Sequence, residues 1–204
     1  MIPSLCFVTD AEAPWTLLEQ AEQAARGGAL WVQLRHKTLA DAAFADLACQ
    51  MMDRLSPLGA KLIVNDRTEI ARAIGAAGLH IGQSDGDPRA ARARIGPEAI
   101  LGLSIESAEQ AAAVPPGCVD YLGVGPVRAT ASKPDHAPPL GWTGLADIVS
   151  RTALPCMAIG GLGPDDATQV RRAGCAGMAV VSAISRATNP EAAAQTFVQN
   201  WNET

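Results

Sequence analysis

The sequence has no Cys-x-x-Cys pair, no apolar run of membrane length and no basic leader. None of its five scattered cysteines has a histidine at zinc-finger spacing, so reduced, mostly buried thiols are expected. No apolar run approaches the roughly 20 residues of a membrane helix, and the first ten residues are typical of a strand rather than a signal peptide. We therefore expect a cytoplasmic protein with no membrane partner.

Positive charge is also scarce. The 16 Lys and Arg residues against 21 Asp and Glu give a formal net charge of −5, which argues against broad nucleic-acid binding. Any phosphate site must therefore concentrate its cations in one place. A chain of 204 residues with 48% hydrophobic content can bury one sizeable core, so we expect a single domain over residues 1–204.

Short apolar runs alternate with longer amphipathic stretches along the whole chain. Uncharged runs of this length are typical of parallel strands buried on both faces. Eight are predicted, at residues 5–8, 30–34, 62–64, 78–81, 100–103, 121–124, 157–159 and 178–181. Helices are predicted at 15–26, 40–55, 67–74, 88–95, 107–114, 143–151, 164–173 and 190–201, several with proline at the first turn.

Eight strand–helix units in 204 residues predict a (β/α)8 TIM barrel of near-minimal size. The competing fold, a doubly wound open sheet, would usually carry a Gly-rich turn after its first strand. That turn is missing, and the glycine pair follows the seventh strand instead, where barrels often bind phosphate. The longest irregular segment, residues 126–141, is a candidate substrate loop.

Polar residues follow the predicted strands at the end where barrel active sites are built. Gln33, Arg35 and Lys37 follow the second strand, and a guanidinium fork beside an ammonium suits a diphosphate. Asp66 and Asp85 follow the third and fourth strands. Two carboxylates beside phosphate-binding cations suggest Mg²⁺, whereas each alone would be interpreted as a helix N-cap.

The later strand ends predict a second anion site. Gly161 follows the seventh strand, and Thr130 and Ser132 lie in the long loop after the sixth. Lys133 of the same loop is assigned to the diphosphate site with Arg35 and Lys37. The Val181-Ser182 pair can open a short helix whose N-terminus faces the same anion. No Ser-His-Asp or Cys-His order stands out, and His36, His80 and His136 are scattered. With no side-chain nucleophile, the chemistry is expected to be carried by two phosphorylated substrates.

The ordered set of motifs resembles the thiamine-phosphate synthase family over residues 7–185. The motifs are Gln33-Leu34-Arg35-x-Lys37, Asn65-Asp66-Arg67, His80-x-Gly82-Gln83-x-Asp85, Gly102-x-Ser104, Gly123-Val124-Gly125-Pro126, Thr130-x-Ser132-Lys133, Ala158-Ile159-Gly160-Gly161 and Val181-Ser182-Ala183-Ile184. The resemblance implies a transferase. A pyrimidinylmethyl diphosphate loses diphosphate with Mg²⁺ as cofactor, and the ring nitrogen of a thiazole phosphate attacks to give thiamine phosphate.

Site roles follow from the resemblance, position by position. Asp66 and Asp85 would hold Mg²⁺, and the predicted catalytic residues are Arg35, Lys37, Ser104 and Lys133. The pyrimidine diphosphate would be contacted by Gln33, Arg35, Lys37, Asn65, Ser104 and Lys133, and the thiazole phosphate by Thr130, Ser132, Gly161, Val181 and Ser182. The predicted substrate-binding set also includes Leu34, His36 and Ala131.

The sequence departs from the family pattern at three places. His36 stands where Glu is usual, Ser132 replaces a Thr, and Arg128-Ala129 replaces Phe-Pro, which predicts altered mobility of the loop. Three alternatives stay open: a thiazole tautomerase of the same superfamily with a histidine acid/base, a non-catalytic barrel that binds a phosphometabolite, and an unrelated barrel phosphate isomerase. The substrates are small phosphorylated molecules in each case, and a homo-oligomer is possible.

Overall fold

The computed structural model describes residues 2–132 and 137–203, and it contains a closed barrel of eight parallel strands in sequence order. Each strand pairs with its neighbours in the chain, and β8 closes the barrel on β1. The strands are β1 (Leu5–Val8), β2 (Trp31–Leu34), β3 (Lys61–Asn65), β4 (Gly78–Ile81), β5 (Ile100–Ile105), β6 (Tyr121–Val124), β7 (Cys156–Ile159) and β8 (Gly177–Val180). The predicted TIM barrel is confirmed.

Helices surround the barrel and connect successive strands. They are α1 (Leu17–Arg26), α2 (Asp41–Leu55), α3 (Thr68–Ala73), α4 (Pro88–Ile95), α5 (Ala108–Ala112), α6 (Gly141–Ser150), α7 (Ala167–Arg172), α8 (Ser182–Ser185) and α9 (Pro190–Asn202). Short 3-10 helices at Ser56–Leu58 and Pro164–Asp166 extend α2 and precede α7. No helix in the described part of the chain is long and apolar enough to cross a membrane.

Alternation along each strand divides the buried residues into two layers, because successive strand side chains point to opposite faces. One layer fills the barrel and includes Cys6, Trp31, Ile63, Tyr121 and Met157. The alternate residues of the same strands pack outward against the helices and form the larger cluster. The barrel interior is thus a packed core whose upper end carries the site.

Local signals in the sequence define several helix starts. Thr16 and Glu19 form a capping box before α1, which begins two residues later than predicted. Proline occupies the first position of α4 and α9, where its missing N–H is not needed. The predicted seventh helix divides at Ala167 into a 3-10 turn and α7.

The remaining differences concern element ends. Leu30 lies outside β2 and is 50% exposed, the largest exposure of a bulky apolar side chain in the described residues. Strand β5 continues to Ile105 because Ile105 pairs with Val124 of β6. Helix α5 ends at Ala112, two residues before the predicted end at Val114. Val114 precedes Pro115, and a residue in front of a proline disfavours helical geometry.

Gly102 of β5 faces the interior layer, and an added Cβ would lie 2.2 Å from Tyr121 Cζ and 2.4 Å from His80 Nδ1. Both neighbours are held in the core, so we expect Gly102→Ala to lower the free energy of unfolding by about 3 kcal/mol. The matched control is Gly163→Ala, whose Cβ would meet only Asp166 Oδ2, at 3.8 Å. Urea denaturation of both variants checks this, and equal midpoints would contradict the packing argument.

Candidate active site

The carboxyl ends of the strands bring the predicted polar residues to one mouth of the barrel. Gln33 and Asn65 lie two residues beyond the inward-facing Trp31 and Ile63, so alternation turns both towards the interior. In the register of the sheet, Asn65 pairs with His80 of β4. Ser104 of β5 reaches the same interior because its hydroxyl lies 2.9 Å from His80 Nε2.

Arg35 is held at the end of β2 by β1. Its backbone N–H donates to Thr9 Oγ1 at 2.9 Å, and the Thr9 hydroxyl lies 3.2 Å from Arg35 O. The Arg35 guanidinium Nη1 stands 3.5 Å from Ser132 O, at the long limit of a hydrogen bond. The structure therefore places Arg35, which is predicted to bind the diphosphate, next to the loop that is predicted to bind the thiazole phosphate.

Lys37, Asp66 and Asp85 form one charged cluster. The Lys37 ammonium makes an ion pair with Asp66, and Asp66 and Asp85 are close enough for each to shift the pKa of the other. Burial and the neighbouring Asp85 raise the pKa of Asp66 against the opposing pull of Lys37. Burial also acts to raise the pKa of Asp85, but hydrogen bonds from Asp66 and the Gly82 N–H lower it overall.

The helix-cap alternative is wrong for both carboxylates. Helix α3 is capped at Arg67 and α4 at Asp87, so neither Asp66 nor Asp85 occupies an N-cap position. Asp66 instead has φ +64°, and it is the only non-glycine residue with positive φ in the described part of the chain. Such a conformation at a strand end is typical of a functional position rather than a folding signal.

The donor set of this cluster fits a Mg²⁺ ion. Two adjacent carboxylates are what Mg²⁺ takes from a protein when substrate phosphate and water complete its coordination. Burial and the nearby Asp85 raise the pKa of Asp66, and a divalent cation would favour its charged form. Among residues 2–132 and 137–203, no larger group of three His, Cys, Asp or Glu side chains is arranged to hold a metal.

Arg67 orders the loop that carries Lys37, a role that the sequence did not indicate. Its Nη2 donates to His36 O at 3.0 Å and to Leu39 O at 2.5 Å. Its guanidinium carbon lies 4.3 Å from the centre of the Phe44 ring. The loop after β2 is therefore braced from β3, which limits the positions that the Lys37 ammonium can sample.

Two residues that were predicted to contact substrate, Leu34 and His36, use their side chains for contacts within the protein. Leu34 is fully buried in the outer layer between barrel and helices, so only its backbone can reach the mouth. The His36 ring accepts a hydrogen bond from the Leu39 N–H at 3.1 Å, within its own loop. This agrees with alternation, which turns His36 away from the direction of Arg35 and Lys37.

The glycines after β7 are required by the close approach of the β6 loop. Val127 N–H donates to Ile159 O at 2.9 Å and Arg128 N–H to Gly160 O at 3.0 Å. Gly160 and Gly161 have φ of +102° and +65°. An added Cβ at Gly160 would lie 2.6 Å from Pro126, so a side chain there would displace the loop.

Arg128 ties the β6 loop to the segment after β7. Its guanidinium makes a bidentate ion pair with Asp166, at 2.6 and 2.7 Å, and Nη1 donates to Gly161 O at 3.0 Å. It also lies 5.0 Å from the centre of the Trp142 ring. Arg128, which stands where the family resemblance predicts Phe, therefore links the β6 loop to the segment after β7 through polar contacts.

The other residues that were predicted to bind an anion lie at the same edge of the barrel. In the β6 loop, Ser132 N–H lies 3.3 Å from Thr130 Oγ1, and Ala131 is exposed. Strand β8 ends at Val180, one residue before the predicted end, so Val181 lies between β8 and the short helix α8, which begins at the exposed Ser182 as expected. Lys133 and His136 lie outside the described residues.

Asp10 is a polar strand-end residue that the sequence analysis missed. It follows β1, is buried, and its Oδ2 lies 3.0 Å from Arg186 Nε and 3.3 Å from Ser185 Oγ at the end of α8. Gln20 of α1 binds its backbone N–H and carbonyl. The strand-end criterion would have found Asp10 had it been applied to the first strand.

The cysteines are free thiols, as expected, and all but Cys49 are buried. Burial raises the pKa of Cys6 and of Cys175 to about 12 and that of Cys156 to about 11. These thiols are protonated at neutral pH and cannot act as nucleophiles.

His80 is buried and uncharged, because burial lowers its pKa from 6.5 to about 4. Between pH 6.5 and about pH 4, His80 binds a proton in the unfolded chain but not in the folded protein. The free energy of unfolding therefore decreases as the pH falls through this range. We expect wild type to lose about 2 kcal/mol more unfolding free energy than His80→Gln between pH 7 and pH 5. Urea denaturation at both pH values measures the difference, and parallel losses would contradict it.

Comparison with known proteins was made on the sequence and on the fold. The family model described as thiamine monophosphate synthase matches residues 5–184. The thiamine-phosphate synthase of Azorhizobium caulinodans is 46% identical over 196 residues, covering 95% of this chain and 92% of that protein. That of Chlorobium phaeovibrioides is 40% identical over 205 residues, covering 98% and 95%.

Solved structures give the same result. The thiamine phosphate pyrophosphorylase of Pyrococcus furiosus superposes with a TM-score of 0.89 at 30% identity, covering 98% of this chain and 96% of that one. A 3-hexulose-6-phosphate synthase at 15% identity, with a TM-score of 0.73 and coverage of 97% and 99%, shares the barrel alone. The match of the family model and the extent of these identities establish that this chain belongs to the thiamine monophosphate synthase family.

Proposed function

We propose that this protein is a thiamine-phosphate synthase that joins a pyrimidinylmethyl diphosphate to a thiazole phosphate and releases diphosphate. The observation that carries the proposal is the cluster of Lys37, Asp66 and Asp85 beside Arg35 at the barrel mouth. In a protein of net charge −5, cations and paired carboxylates at one strand end suit a metal-bound diphosphate. The family of the chain supports the same substrates.

The proposed reaction needs no protein nucleophile. The bond between the pyrimidinylmethyl carbon and the diphosphate oxygen breaks, and its electron pair leaves with the diphosphate. The lone pair of the thiazole ring nitrogen then forms the new carbon–nitrogen bond. Arg35 and Lys37, with Lys133, would stabilise the charge that develops on the diphosphate, which is the main term in catalysis of this kind.

Asp66 and Asp85 would hold the Mg²⁺ ion. The ion would supply electrostatic stabilisation of negative charge on the phosphate oxygens. Lys37 compensates the charge of Asp66, and the Gly82 N–H fixes Asp85 through a 2.7 Å hydrogen bond to Oδ2. The two carboxylates are therefore oriented before any ligand arrives.

The remaining residues would orient the two substrates. Gln33, Asn65 and Ser104 face the interior of the barrel mouth and would contact the pyrimidine diphosphate. The thiazole phosphate would lie between the β6 loop and the start of α8, contacted by Thr130, Ser132, Gly161, Val181 and Ser182. The approach of Arg35 to Ser132 O supports two adjoining sites rather than two separate ones.

The proposal is distinguished from its alternatives by product analysis. A thiazole tautomerase would isomerise the thiazole phosphate without the pyrimidine, and a binding protein would retain the ligand without turnover. Among the described histidines, His80 is buried with both ring nitrogens hydrogen-bonded, and the His36 ring binds its own loop. His80 therefore offers no ring nitrogen for an acid/base role in a tautomerase, and alternation turns His36 away from the direction of Arg35 and Lys37.

The first test mixes the protein with Mg²⁺ and both substrates and detects thiamine phosphate by oxidation to fluorescent thiochrome. We expect product that disappears with EDTA. Asp85→Asn should lower Mg²⁺-dependent kcat on the order of 100-fold, because one charged ligand is lost. The matched control is Asp87→Asn, since Asp87 caps α4 in the same loop and asparagine caps equally well.

A second readout does not depend on turnover. Titration calorimetry with Mg²⁺ and inorganic diphosphate should show binding to wild type and to Asp87→Asn, with weaker binding to Asp85→Asn. Normal turnover by Asp85→Asn would overturn the metal assignment. Absence of product from wild type with intact thiazole-phosphate binding would overturn the synthase assignment.

The brace made by Arg128 should act on one substrate alone. Because it fixes Gly161 against the β6 loop, we expect Arg128→Gln to raise KM for the thiazole phosphate by about fivefold with little change in kcat. The control is Arg151→Gln, which breaks an exposed ion pair with Asp147 on α6. Steady-state kinetics with each substrate varied in turn measures the effect, and an equal change in both KM values would refute it.

A further inference from the structure

Tyr121 and His80 form a buried polar pair directly beneath the proposed pyrimidine site. Tyr121 is 2% exposed and His80 is 8% exposed, so both side chains are buried in the barrel interior. The Tyr121 hydroxyl lies 2.9 Å from His80 Nδ1, and His80 Nε2 lies 2.9 Å from Ser104 Oγ. A continuous chain of hydrogen bonds thus joins the centre of the barrel to its mouth.

Donor and acceptor roles along this chain follow from the phenol. A neutral tyrosine has one proton to donate, and a buried donor without an acceptor is costly. Within residues 2–132 and 137–203, the hydrogen-bond partner of the Tyr121 hydroxyl is His80 Nδ1. His80 Nδ1 therefore accepts, its proton resides on Nε2, and Nε2–H donates to Ser104 Oγ.

Burial raises the pKa of Tyr121 well above its usual range, so the phenol keeps the proton that it donates to His80 Nδ1. The imidazole is also fixed sterically. An added Cβ at Gly102 would lie 2.4 Å from Nδ1, and one at Gly123 would lie 3.0 Å from Cε1, so the ring packs directly on both strands.

We propose that Tyr121 and His80 are positioning residues that fix the Ser104 hydroxyl as a hydrogen-bond donor towards the pyrimidine diphosphate. The oxygen of Ser104 already accepts from His80, so its own proton is directed towards the barrel mouth, where an acceptor atom of the substrate would receive it. The opposite tautomer would present a lone pair of Ser104 instead. The inference rests on the proposed function for the identity of the substrate.

The tautomer can be measured without substrate. Protein labelled with ¹⁵N-histidine contains three histidines, and the spectrum of His80→Gln identifies the His80 signals. We expect the wild-type spectrum at neutral pH to show His80 Nε2 protonated and Nδ1 unprotonated. A proton on Nδ1, or a doubly protonated ring, would overturn the proposal, whatever the activity of the protein.

Kinetics then tests whether Tyr121 acts through Ser104. Tyr121→Phe removes only the hydroxyl and should lower kcat about fivefold, the usual effect of one hydrogen bond, with KM for the thiazole phosphate unchanged. In a Ser104→Ala background the same change should alter kcat less than about twofold, because the donor is already absent. A fivefold loss in both backgrounds would show that Tyr121 does not act through Ser104.

The control separates positioning from packing. Cys6→Ala removes one atom from the same interior layer and leaves the hydrogen-bond chain intact. It should lower the melting temperature without changing kcat. If Cys6→Ala and Tyr121→Phe lower kcat equally, Tyr121 is a packing residue only. A wild-type protein that makes no thiamine phosphate would overturn the proposed function and leave the tautomer measurement standing.

Discussion

Closure of eight short parallel strands into a barrel forces alternate side chains inward, and the site depends on this constraint. The lower interior is filled by packed residues such as Trp31, Tyr121 and Met157, which leave no room for solvent. The inward-facing polar residues that would contact substrate, Gln33, Asn65 and Ser104, lie at or near the carboxyl ends of their strands. Two inward-facing residues that are two positions apart on the same strand can therefore differ in role. The lower one packs in the core, and the upper one can bind substrate.

The charged cluster at the mouth is a consequence of strand order. Lys37, Asp66 and Asp85 follow three consecutive strands, and parallel neighbours place their carboxyl ends side by side. Burial and the neighbouring Asp85 raise the pKa of Asp66, while Lys37 opposes that rise. This arrangement supports the proposal that the mouth binds a divalent cation together with an anionic substrate.

Close backbone approach explains the glycines and the long loop on the opposite side of the mouth. Gly160 permits the β6 loop to continue hydrogen bonding beyond the end of the sheet, as far as Arg128. Arg128 then adds an ion pair to Asp166 and a bond to Gly161 O. The replacement of Phe-Pro by Arg-Ala exchanges an apolar turn for a charged brace.

The sequence by itself determined the fold and the edge on which the site lies. Short uncharged runs separated by capped helices have few other solutions, and polar residues at strand ends need no distant partner to be recognised. The end of β5 was not determined by the local sequence, because the pairing of Ile105 with Val124 of β6 decides it.

Only the tertiary structure decided which of those residues touch. The contact between Asp66 and Asp85, the pairing of Arg128 with Asp166, and the chain from Tyr121 through His80 to Ser104 join residues far apart in the sequence. Their spacing has no period that a local pattern could reveal. The physical reason is that such contacts are set by barrel closure and strand register, which bring distant segments to a common mouth.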